Sequence, residues 1–185
     1  VSESSGSPVA DTSFGTNGVV TTSLRNNISP KYLDIEVQPD GKIIAIGRHE
    51  TADDAWTVVR LNADGSFDSS FGTLGSVSTT FAGETSVRPA GVVQHLDGRI
   101  TIVGHTSSKW LLARYHSDGS PDTSFGGGKV VLQPVSSSRI YDGIADSDGS
   151  VFVVGQQFGT GGMILARVRA DGSLDANFGS GGVVS

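Results

Sequence analysis

The chain has 185 residues, with 13 Lys and Arg against 19 Asp and Glu, no Cys, and 26 Gly, about twice the usual glycine share. A net charge of −6 argues against a general nucleic-acid binder and against docking on anionic membranes, since both need a basic surface. Without cysteine there is no disulfide, thiol catalysis or Cys-ligated zinc, and no apolar run approaches the ~20 residues of a membrane helix.

In chain order, residues 1–10 are mostly small and polar and read as a flexible lead or the scar of a removed signal. Residues 18–22 read as a short strand. Val- and Ile-rich runs at 33–38 and 42–47 flank Pro39-Asp40-Gly41, a tight turn in which glycine supplies the positive φ of a hairpin. Residues 56–62 make a further strand, closed by Ala63-Asp64-Gly65, and 76–80 another. The succession returns with 89–95 and 129–133, then with 141–146, and closes on a short strand within 179–185.

That succession is an internal repeat. Asp11-Thr-Ser-Phe-Gly15, Asp68-Ser-Ser-Phe-Gly72, Asp122-Thr-Ser-Phe-Gly126 and Asp175-Ala-Asn-Phe-Gly179 are copies of one phrase, with their Phe residues 57, 54 and 53 residues apart. An Asp-Gly hairpin (Asp40, Asp97, Asp148) and an Arg-containing strand (Arg60, Arg114, Arg167) recur between them in fixed order. The repeats run over about 15–71, 72–125 and 126–178 within one domain, 11–185. The strands are apolar at nearly every position, so both faces of each sheet need cover. The expected fold is all-β, a β-propeller-like array of three four-stranded antiparallel blades, ahead of a β-sandwich, which does not need one phrase three times.

The phrases at 61–72 and 38–47 together resemble the bacterial delta-60 repeat, over residues 11–185. The resemblance implies a propeller-type array in a secreted or surface protein and carries no active site. The strand order is also similar to NHL-type blades. That analogy places 33–38, 89–95 and 141–146 at the axis and 18–22, 76–80 and 129–133 on the rim.

Three blades are too few for a closed ring and leave two apolar end faces. The expected partner is a second copy, giving a homodimer that closes a six-bladed ring, or else adjacent repeats of a longer chain. Residues 18–22 and 182–185 compete for the outer strand of the last blade, and the sequence does not choose between them.

Residues repeated in every blade most simply serve the blade, whereas unrepeated loop residues are free for function. Arg60, Arg114 and Arg167 need partners if half buried, and Asp68, Asp122 and Asp175, each eight residues on, supply them. Phe14, Phe71, Phe125 and Phe178 are expected as plugs between blades. Asp64 and Asp68, Asp118 and Asp122, and Asp171 and Asp175 have a calcium-loop-like spacing. They lack the distal Glu of such loops, so Asx turns are the preferred reading and calcium the weaker one. Trp56 and Trp110 suggest a sugar-stacking, lectin-like alternative, but Met163 fills the third copy of that position, which favours core.

The four His form no zinc motif, and no G-x-S-x-G elbow occurs. The reading leans away from an enzyme. Asp34 and Asp142, at equivalent inner positions, are the best acidic pair for an alternative hydrolase or lyase with an axial site. The variable connections 48–54, 105–109 and 156–162 cluster on one face of the wheel. A protein or glycan ligand is expected there, at Arg48, His49, Asp53, His105, Lys109 and Phe158.

Overall fold

The computed structural model describes residues 9–21, 31–48, 54–159 and 161–185, so His49 and Asp53 lie outside the described residues. Among the described residues, the Val- and Ile-rich runs form twelve strands in three antiparallel sheets. The first blade holds β1 (Lys31–Val37), β2 (Ile43–Arg48), β3 (Trp56–Leu61) and β4 (Ser76–Thr79). The second holds β5 (Arg88–Gln94), β6 (Ile100–His105), β7 (Trp110–Tyr115) and β8 (Lys129–Leu132). The third holds β9 (Ser138–Ala145), β10 (Val151–Gln157), β11 (Met163–Val168) and β12 (Val183–Val184). In every sheet the spatial order follows the chain order. The first hairpin of each blade turns on an Asp-Gly whose glycine has positive φ, +83° at Gly41, Gly98 and Gly149. The result is an open, partial β-propeller.

First strands pack beside one another, β1 against β5 and β5 against β9, while β4, β8 and β12 lie outermost. The axis-to-rim order therefore follows the sequence reading. The blades share two cores. Ile44, Ile46, Trp56 and Val58 of the first blade meet Val92, Ile100, Ile102, Leu111, Ala113 and Tyr115 of the second. Val93, Val103, Trp110 and Leu112 on the second blade's other face meet Ile140, Val151, Val153, Ile164 and Ala166 of the third. The middle blade is covered on both sides by its neighbours, and all of β6 and β7 is buried. β3 is buried throughout as well, because Val20 packs over Val59 and Leu61 on the first blade's outer face.

At the termini one expectation changes and one open alternative is decided. The described part of 18–22 pairs with no strand of a blade. The chain folds back on itself through a Thr16–Val19 bridge instead. The C-terminal residues take the outer slot of the last blade, where Val183 and Val184 pair with Ala166 and Leu165.

A device absent from the sequence reading recurs in every inner strand. The pairing register shifts between Tyr32 and Asp34, between Pro89 and Gly91, and opposite Val154 and Gly155. Each bulge sits against the repeated glycine of the neighbouring strand. A Cβ at Gly104 would meet the Arg88 carbonyl and lie 2.8 Å from Pro89 Cα, and Gly155 has the same conflict with Arg139.

Candidate functional site

The repeated phrases assemble into a latch at each blade junction. Arg114 Nε donates to Asp122 Oδ2 at 2.8 Å, and its guanidinium lies 4.4 Å from the centre of the Phe125 ring. Arg60 does the same with Asp68, at 2.7 Å, and Phe71, at 4.6 Å. The guanidinium then crosses into the following blade. Arg60 Nη1 donates to Ser117 O, and Arg114 Nη2 to Ala170 O at 2.6 Å. The Phe-Gly peptide crosses at the same place, with Gly72 N donating to Asp118 O at 2.7 Å and Gly126 N to Asp171 O at 3.0 Å. The turn glycine of the following blade allows this approach, since a Cβ at Gly119 would lie 2.9 Å from Gly72 N and 3.1 Å from Phe71 Cδ2.

Burial pushes the Asp68 and Asp122 carboxyls up, but neighbouring donors and charges outweigh it and hold both well below the usual carboxylate range. Those partners are Ser70, Lys42 and Arg60 for Asp68, and Ser124, Arg99 and Arg114 for Asp122. The other carboxylates of the calcium-like spacing also sit in Asx turns. The Oδ1 atoms of Asp64, Asp118 and Asp171 accept the backbone N–H of Ser66, Ser120 and Ser173 at 2.9, 2.8 and 2.8 Å. Asp175 Oδ1 accepts from Asn177 N at 3.2 Å. No group of three or more His, Asp or Glu able to hold a metal ion converges among the described residues.

The latch is incomplete at both ends of the array. In the third blade Arg167 reaches Asp175 at 3.1 Å but turns back to Asp146 and Asp148 of its own blade, at 2.9 and 2.6 Å. Its guanidinium lies over Phe152, at 5.4 Å. Met163 is 71% exposed there, where the matching Trp56 and Trp110 are 0% and 1% exposed. Ile144 and Val184 are also exposed on that blade. On the first blade Leu33, Ile35 and Val37 are exposed on the opposite end face. A groove of about 470 Å³ runs there between Phe14, Val20, Leu33, Ile35, Ala45 and Leu61. Its rim side is filled by the chain itself, as Gly15 N donates to Asp64 O at 2.8 Å and Phe14 and Val20 pack on Gly65.

Of the loop-face candidates, Arg48, His105, Lys109 and Phe158 lie among the described residues. His105 is a correction to the exposed-loop reading. It is buried, its Nδ1 lies 2.8 Å from Thr106 O, and its ring meets Tyr141 edge-on across the junction. Burial also lowers its pKa. Lys109 reaches Glu84 at 2.5 Å, Phe158 lies under Arg139 at 4.8 Å, and Arg48 ends β2 half-buried. Trp56 and Trp110 are sealed between blades, so neither presents a ring face to a sugar. Asp34 Oδ2 accepts from Val92 N of the next blade at 3.0 Å, and Asp142 Oδ1 from Gly143 N at 2.8 Å, so both already serve the backbone of the inner strands.

The sequence matches, over residues 38–71, 95–125 and 147–178, the family described as a domain of unknown function (DUF5122) beta-propeller. The match covers more than half of the chain, and the chain belongs to that family of propeller repeats. No curated protein matches it.

Proposed function

We propose that this domain is a non-catalytic binding and assembly module that self-associates through its open end faces to complete a ring. The observation that carries this reading is the pair of complementary ends. The third blade exposes Met163, whose counterparts Trp56 and Trp110 are buried, and the first blade exposes Leu33, Ile35 and Val37 on the opposite end face. Apolar end faces of this kind favour a second blade over water. The resemblance to the delta-60 repeat supports a secreted or cell-surface bacterial setting, and the acidic surface is consistent with it. Light scattering after gel filtration tests the assembly. A mass twice the 19.1 kDa of the chain is expected, and a strictly monomeric mass up to millimolar chain overturns the reading.

A further inference from the structure

Resting on that self-association, we propose that residues 175–184 of one copy seat on the 63–65 turn of a second copy, displacing that copy's own residues 11–20. The two segments are duplicates in sequence and in shape. Asp11, Phe14, Gly15, Gly18, Val19 and Val20 match Asp175, Phe178, Gly179, Gly182, Val183 and Val184 at the same spacing. Phe14 N donates to Asp11 O at 3.1 Å and Phe178 N to Asp175 O at 2.9 Å. Gly18 N donates to Phe14 O at 3.0 Å and Gly182 N to Phe178 O at 2.9 Å. Thr16 N and Ser180 N each donate at 2.8 Å, to Val19 O and Val183 O.

The 63–65 turn has room for one of them. Gly15 N occupies Asp64 O, and a Cβ on Gly65 would already meet Val20 and lie 3.2 Å from Phe14 Cε2. The incoming segment brings more than the resident one. Arg167 belongs to its blade and is spaced to reach Ala63 O, as Arg60 reaches Ser117 O and Arg114 reaches Ala170 O. Eight residues before Asp11, where that arginine would stand, the chain has Glu3. Asp142 is placed to accept from Ile35 N, as Asp34 accepts from Val92 N. Met163 and Ile144 then cover the exposed Leu33, Ile35 and Val37. The resident segment holds the rim end of the groove only, so exchange adds latch and face together.

The exchange is tested in the full chain by sedimentation equilibrium. Phe14→Ala with Val20→Ala weakens the resident segment and is expected to tighten self-association roughly tenfold or more. Arg167→Ala is expected to weaken it. Because the double variant also touches the first blade, a second measurement uses the unaltered chain. A peptide of residues 175–184, in excess, is expected to lower the assembled fraction, and a scrambled peptide is not. If the wild type assembles but the double variant associates no tighter, or the peptide does not compete, displacement is overturned and self-association stands. If the wild type is monomeric and the double variant assembles, displacement stands and assembly of the unaltered chain falls. If neither assembles, both fall.

Discussion

Equivalent residues in successive blades have unequal surroundings, and the differences are measurable. Trp110 Nε1 donates to Ser138 Oγ at 2.9 Å, whereas the buried Trp56 Nε1 has no hydrogen-bond partner. Where the third blade has Ser138, the second has Val87, which belongs to the same core as Trp56. Trp110→Phe is therefore expected to cost about 1–2 kcal/mol more than Trp56→Phe in denaturant unfolding, since only the first change loses a hydrogen bond. His95 gives a pH signature. Burial, then the charges of Arg114 and Arg99, lower its pKa from 6.5 to about 4 against the opposing pull of Asp97 and Asp122. Its neutral ring lies 2.9 Å from Thr101 Oγ1. A lowered folded pKa means that the unfolded chain binds the proton first. The stabilisation is complete above pH 6.5 and is lost as pH falls towards 4, by roughly 2–3 kcal/mol. His95→Gln is expected to flatten that limb of a stability–pH curve. The repeated Arg–Asp pairs were legible from their constant spacing. The burial of His95 and His105 was not, because a single His at a strand end carries no periodic mark of which way the blade turns it.

At the scale of the element, the junction between blades is a polar latch on an apolar face. Arg114 has no exposed side-chain surface, and its loss leaves Asp122 with Arg99 alone among basic partners at hydrogen-bond distance. Arg114→Met is expected to destabilise the chain by about 3–5 kcal/mol in thermal or denaturant unfolding. Arg167→Met is expected to cost far less, because Asp148 is open to water, Asp146 partly so, and the buried Asp175 keeps Arg169 at 2.9 Å. Strand positions and hairpin turns were legible because Asp-Gly and the Val- and Ile-rich runs report local preference. The inner-strand bulges were hidden, since their only trace is a glycine that also reads as a turn or a strand end. The crossing of each arginine into the following blade was hidden as well. It links residues 56 or 57 apart, and no local pattern encodes such a contact.

At the scale of the whole molecule, the three blades form a polar stack. Every described junction has its Arg and Phe-Gly on the preceding blade and its Asp-Gly turn on the following one. The open ends inherit that direction, so the proposed assembly is expected to join the arginine end of one copy to the turn end of another. The propeller fold was legible from three copies of three phrases. The resting place of residues 11–20 was not, because the same phrase leads into an outer strand in the other copies and here docks on the 63–65 turn, a contact across some fifty residues that no local pattern encodes.

The direction of the latch has a genetic corollary. Arg167→Ala spoils one end of the chain and Gly65→Val the other, so each variant alone is expected to self-associate more weakly than the unaltered chain. Mixed together, they retain one intact end apiece that fits the other. Light scattering of the mixture is expected to show a one-to-one pair joined by a single junction, an open six-bladed arc in which each variant complements the other's defect.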